Sequence, residues 1–96
     1  MIDAETRPPW VQEMIDLYEI DQLLLIEDMG CAIVGVAERL GRWIAVYDEQ
    51  AVIERLMQIN EWDEETAEEY FGYNIADAWL GEGTPLIMQV HRPREV

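Results

Sequence analysis

Hydrophobic residues recur with the period of an α-helix in two segments of the first sixty residues. The first segment predicts a helix over residues 9–20, with Pro9 at its first position and one apolar side made of Trp10, Val11, Met14, Ile15 and Tyr18. The second predicts a helix over residues 49–59, which Asp48 caps and whose apolar side holds Val52, Ile53, Leu56 and Met57.

A third apolar stripe is the most regular in the chain. It follows Asp63, a good helix cap, and it continues to the turn-forming segment 81–85. Its members are Ala67, Tyr70, Phe71, Asn74, Ile75, Ala78 and Trp79. Asn74 is the one polar member, and we expect a core amide that bonds a loop backbone, such as the 81–85 turn.

Two runs of small and β-branched residues predict a β-hairpin. The runs are 31–37 and 43–47, and the short loop 38–42 that contains Gly41 makes them antiparallel. Residues 86–90 predict a third strand, which could join either edge of the hairpin. Residues 27–30 predict a turn, whereas 23–26 fit a continuing helix or a short buried strand equally well.

The predicted order of elements is α-β-β-α-α-β, which indicates an α+β fold. We expect a three-stranded, mostly antiparallel sheet packed against helices. The chain has 96 residues, enough for one small domain. We predict a flexible N-terminal arm at residues 1–8 and a single domain at 9–96.

The charge balance excludes several functions. There are 21 acidic residues against 6 basic ones, all of them Arg, so the formal net charge is −15. Such a chain repels phosphate, which argues against direct nucleic-acid binding and against an anionic membrane surface. No apolar run approaches the ~20 residues of a membrane span, and the N-terminus lacks a signal-peptide pattern. We therefore predict a cytoplasmic protein.

The acids are densest between residues 61 and 69. This tract comprises Glu61, Asp63, Glu64, Glu65, Glu68 and Glu69, and the apolar stripe of the third helix places Glu65, Glu68 and Glu69 on the outer side. It is either a solvated helix face or a docking surface for a basic partner, because a row of carboxylates can imitate a row of phosphates. Trp62 and Tyr73 fall off the stripe and are candidate aromatic anchors in such an interface.

Candidate catalytic and metal-binding patterns are weak. Cys31 is the only cysteine and stands at the start of a predicted strand, so we expect a small buried hydrophobic residue. We expect the only histidine, His91, to lie on the surface. The two would pair only if the third strand lay beside the first. The chain has no Ser for a nucleophile, no zinc ligand set and no calcium loop, so we assign no catalytic residue, metal or cofactor.

The second half of the chain, about residues 31–88, resembles a family of small acidic proteins carried by phages and bacteria, for which no activity is established. The likeness lies in Ala45-Val46-Tyr47-Asp48, Ile53, Leu56-Met57, Glu65, Ala67, Glu69-Tyr70-Phe71, Tyr73-Asn74-Ile75, Ala78-Trp79 and 81–85 (GEGTP). The resemblance implies a setting in which small acidic proteins block host nucleic-acid machinery, including CRISPR and restriction complexes.

These observations predict a non-enzymatic, acidic protein-binding module. In this hypothesis it mimics nucleic acid and inhibits a basic, nucleic-acid-binding host protein or complex by occlusion. A second hypothesis is a homo-oligomeric structural or accessory protein, a homodimer for example, whose acidity serves solubility. A third is a small enzyme that uses carboxylates or Cys31.

Overall fold

A computed structural model describes residues 8–76, 78 and 81–91 of the chain. The elements are α1 (Pro9–Leu17), a 3-10 turn (Gly30–Ala32), β1 (Ile33–Arg39), β2 (Arg42–Asp48), α2 (Glu49–Asn60), α3 (Glu64–Asn74) and β3 (Leu86–Met88). This confirms the α+β class and the predicted order. Of the arm predicted at 1–8, all but Pro8 lies outside the described residues, and Pro8 itself is the N-cap of α1.

The first helix is shorter than the sequence predicts, because its C-terminal residues turn back. Glu19 adopts a left-handed conformation with φ of 53°. The N–H of Ile20 then bonds the carbonyl of Ile15 at 3.0 Å, and the Ile20 side chain is buried. The ring of Tyr18 stacks on Trp43 with 5.0 Å between centroids, which fixes this end of α1 over β2.

The hairpin forms as predicted, with the first strand shifted by two residues, a longer second strand and a tighter turn. Strand β1 pairs antiparallel with β2 from Ile33 opposite Tyr47 to Arg39 opposite Arg42. Leu40 and Gly41 make the turn with φ of 53° and 77°, the sign that a type I′ hairpin turn requires at both positions. The strand begins at Ile33 rather than at residue 31, because Cys31 lies in the preceding 3-10 turn.

The third strand joins β2, so β2 is the centre of the sheet. Strand β3 runs parallel to β2, with Val46 opposite Leu86 and Asp48 opposite Met88. The sheet is therefore mixed, and the antiparallel hairpin supplies most of it. The strand is confined to Leu86–Met88, which is shorter than the predicted 86–90. Residues 44–48 of β2 are buried throughout.

Two aspartates begin the helices of the second half. Asp48 accepts a hydrogen bond from the N–H of Gln50 at 3.1 Å and caps α2, while Asp63 caps α3. The prediction that the third helix continues towards residue 79 is wrong, because α3 ends at Asn74. The N–H groups of Ile75 and Ala76 both bond the carbonyl of Phe71, which closes the last turn and leaves Ala78 outside the helix.

The core lies between the sheet and the three helices. Its buried side chains include Val11 of α1, Tyr47 of β2, Leu56 of α2 and Phe71 of α3. Residues 23–26 are neither helix nor strand. They form an irregular segment fastened to the core by Ile26, whose N–H donates to the hydroxyl of buried Tyr47 at 2.9 Å.

Candidate functional site: an acidic surface beside an apolar groove

The six acids of the tract 61–69 are all exposed. Helix α3 buries Ala67 and Phe71 against the core, and this orientation turns the remaining positions of its first two turns outward. We call these acids the acidic surface: Glu61, Asp63, Glu64, Glu65, Glu68 and Glu69. Glu64 and Glu65 lie in the first turn of α3, where the positive end of the helix dipole favours carboxylates.

Asp63 has a structural role within the acidic surface. Its carboxylate accepts a hydrogen bond from the backbone N–H of Thr66, with 2.9 Å between oxygen and nitrogen. Hydrogen bonding from the Thr66 side chain, and then from its backbone N–H, lowers the pKa of Asp63 below its usual value. Asp63 therefore stays ionised at neutral pH and holds the first turn of α3 in place.

No internal cation neutralises the acidic surface in the described part of the chain. None of its carboxylates forms an ion pair there. The arginines of that part act elsewhere: Arg39 donates to the carbonyl of Glu82 at 3.0 Å, Arg42 packs against Gly83, and Arg55 is buried. The negative charge of α3 is thus directed at solvent.

The candidate anchors Trp62 and Tyr73 differ in exposure. Trp62 is half-buried against the core, and its ring lies 5.2 Å from that of Tyr70. Tyr73 is 87% exposed. The expectation that Asn74 is a core amide is wrong: Asn74 is exposed, and its amide donates to the carbonyl of Tyr70 one turn earlier. The amide thus bonds the backbone of its own helix rather than that of a loop.

An apolar groove adjoins the acidic surface. It has a volume of about 530 Å³ and lies between the irregular segment, the end of α2 and α3. We call it the α3 groove; its apolar lining is Ile26, Met29, Leu56, Ile59, Trp62, Tyr70 and Ile75, and its polar lining is Glu27, Asp28 and Asn60. Its apolar residues are scattered over four segments, so the sequence pattern did not indicate it.

Arg55 is the other feature that sequence reasoning missed. It is 1% exposed, and its Nε donates to the carbonyl of Asp28 at 2.8 Å. Neither Nη atom has a hydrogen-bond partner. A signal existed, because Arg55 follows Val52 by three residues and therefore shares the buried side of α2.

The structure separates the two residues that a nucleophile hypothesis would join. Strand β2 lies between β1 and β3, so the condition for pairing Cys31 with His91 is not met. Cys31 is exposed, which makes the expectation of a buried cysteine wrong: the 3-10 turn buries Ala32 instead. Across residues 8–76, 78 and 81–91, no three acidic, His or Cys side chains are grouped as metal ligands.

Comparisons with known proteins return no match to a family model, a curated protein or a solved structure. The resemblance to phage and bacterial proteins accordingly rests on the quoted residues alone. Among the described residues, no helix has the length and apolar character needed to cross a bilayer.

Proposed function

We propose that this protein is a non-catalytic binding module whose acidic surface docks on a basic, nucleic-acid-binding protein. The observation that carries the proposal is the outward, unneutralised row of carboxylates at the start of α3. A surface that binds phosphates attracts such a row by the same long-range electrostatics. Occupation of that surface excludes nucleic acid, so the module inhibits its cytoplasmic target without turnover.

The fixed geometry of α3 supports a specific interface with the basic partner rather than non-specific electrostatic attraction. Ala67 and Phe71 anchor one side of the helix in the core, while the Asp63 cap fixes its first turn. The carboxylates therefore sit on a rigid element, which lowers the conformational entropy lost on docking. The finer setting, a phage protein that inhibits a CRISPR or restriction complex, follows from the sequence resemblance.

The test uses two variants with the same net charge. The first changes Glu64, Glu65, Glu68 and Glu69 to Gln; the control changes Glu13, Glu19, Glu38 to Gln and Asp21 to Asn. All eight residues are exposed, and the control residues lie outside the acidic surface. Tagged wild-type protein and both variants are used to capture proteins from bacterial lysate at low and high ionic strength, with mass spectrometry as the readout.

We expect wild type and the control to capture the same nucleic-acid-binding protein at low ionic strength and to release it on addition of salt or competing DNA. The α3 variant should capture much less of it. Equal losses in both variants would show that net charge alone drives binding and would contradict a defined surface. Recovery of the chain alone, with an unchanged oligomeric mass in salt, would favour the homo-oligomer instead.

A further inference from the structure

Residues of the acidic surface alternate along the chain with residues that line the α3 groove. Asn60 and Trp62 line the groove, and Glu61 lies between them in the chain. Glu69 likewise precedes the lining residue Tyr70. On the opposite side, Glu27 and Asp28 are themselves part of the lining. The lining thus combines apolar side chains, called here the floor, with the acids Glu27 and Asp28, while Glu61 and Glu69 neighbour the lining in the chain.

Part of the floor is in contact with solvent. Ile59 and Tyr70 are each 41% exposed, although both are large hydrophobic residues. A second cleft of about 300 Å³ shares Ile26, Glu27 and Ile75 with the groove and extends it towards Ile87.

We propose that the α3 groove binds a basic amphipathic helix of the partner protein, with apolar side chains on the floor and flanking Arg or Lys at the carboxylates. This inference rests on the proposed function and names the chemistry of the partner segment. Charge complementarity selects this occupant: Glu27 and Asp28 in the lining repel a second copy of a chain that carries a net charge of −15. A helix presents apolar residues at i, i+3, i+4 and i+7 on one side, which suits a groove.

The probe is a short synthetic peptide with Leu at helical spacing on one side and Arg beside it. Two control peptides accompany it: a scrambled one, with the same charge and no apolar side, and one with Gln in place of Arg. Binding to the full chain is followed by anisotropy of a labelled peptide. The protein variants are Ile59→Ser in the groove and, as a matched control, Leu17→Ser, which changes an exposed residue at the end of α1.

We expect the amphipathic basic peptide to bind at least about tenfold more tightly than either control peptide. Ile59→Ser should weaken binding by roughly tenfold, and Leu17→Ser should leave it unchanged. A second measurement, by NMR, tests the groove assignment on the wild-type protein. The indole N–H resonance of Trp62, identified through Trp62→Phe, should shift on peptide addition, while those of Trp10 and Trp43 stay in place.

The outcomes separate the two proposals. Equal binding of the scrambled peptide, with no response to Ile59→Ser, would overturn the groove and leave the electrostatic docking of the acidic surface intact. Equal binding of the Gln peptide would overturn the basic character of the occupant. Absence of binding by every peptide, or a Trp62 resonance that does not move, would overturn the groove assignment.

Discussion

The guanidinium of Arg55 donates a hydrogen bond from Nε to the main-chain carbonyl of Asp28, with 2.8 Å between the two atoms. This bond joins α2 to the turn that precedes the 3-10 turn. Asp28 holds a left-handed conformation, φ 67°, while it offers that carbonyl. The two Nη atoms remain buried and unpartnered, so Arg55 stabilises the turn at a desolvation cost of its own.

Two substitutions of Arg55 should separate the contribution of its packing to stability from the contribution of its charge. Met occupies a similar volume without a buried cation. We therefore expect the free energy of unfolding of Arg55→Met to lie within about 1 kcal/mol of the wild-type value. Arg55→Ala leaves a cavity and should lower the free energy of unfolding by about 3 kcal/mol. Urea unfolding of the three proteins measures both values. If Met and Ala are equally destabilising, the bond to Asp28 outweighs the cost of the buried cation.

The hairpin turn offers a stabilising substitution. Leu40 has φ of 53° and is 92% exposed, so it carries the strain of a left-handed residue without any packing gain. Asn tolerates this conformation and is favoured before Gly in such turns. We expect Leu40→Asn to raise the free energy of unfolding by about 0.5–1 kcal/mol, measured by thermal or urea unfolding.

Gly41→Ala is the control for this turn. Its φ of 77° penalises any Cβ, although no neighbouring atom lies within 4 Å of the position a Cβ would take. It should destabilise the protein through backbone strain alone. A stable Gly41→Ala protein would contradict the assigned turn geometry.

The cap of α3 should depend on pH. The pKa of Asp63 is lower in the folded state than its usual value of 3.8. Its ionised form therefore stabilises the fold above the unfolded pKa, and that contribution is lost as pH falls through the folded pKa. NMR titration of the Thr66 amide should show its shift changing below pH 3.8. In Asp63→Asn, which keeps an acceptor oxygen, the same titration should disappear; an unchanged titration would assign it to a neighbouring carboxylate.

Cys31 should be modified in the folded protein. It lies exposed in the 3-10 turn, beside buried Ala32. A thiol reagent should therefore react with native protein at a rate similar to that in denaturant, as followed by absorbance or mass spectrometry. Cys31→Ser should abolish the reaction and change stability by less than about 0.5 kcal/mol. Protection in the native state that urea relieves would contradict this exposure.

Local patterns predicted much of the fold. The caps Asp48 and Asp63 and the bounds of α2 were predictable because a cap and an apolar stripe depend on neighbours along the chain. The end of α3 was not. Its stripe continues past Asn74, but the doubled hydrogen bonds to the Phe71 carbonyl that end the helix depend on backbone conformation. Sequence spacing does not encode that choice.

The candidate site likewise has one part that the sequence predicted and one that it did not. The acidic surface was predictable, because the buried positions of α3 determine which acids face outward. The α3 groove was not, since Met29 and Ile59 come together only through the packing of separate segments. Cys31 and Asn74 were misassigned for a related reason. Each continues an apolar sequence pattern at a point where the regular element stops. Cys31 lies in the 3-10 turn before β1, and Asn74 is the last residue of α3.

The placement of β3 beside β2 has a consequence for the order of folding. The hairpin pairs neighbours in sequence, whereas β2 and β3 meet only after residues 49–85 have closed a long loop through α2 and α3. Contacts so distant in sequence form slowly, and the Leu86–Met88 strand contributes few hydrogen bonds to hold them. We therefore expect the edge that β3 covers to be completed last. Its amides should be the first of the sheet to exchange with deuterium, at a free energy below that of global unfolding.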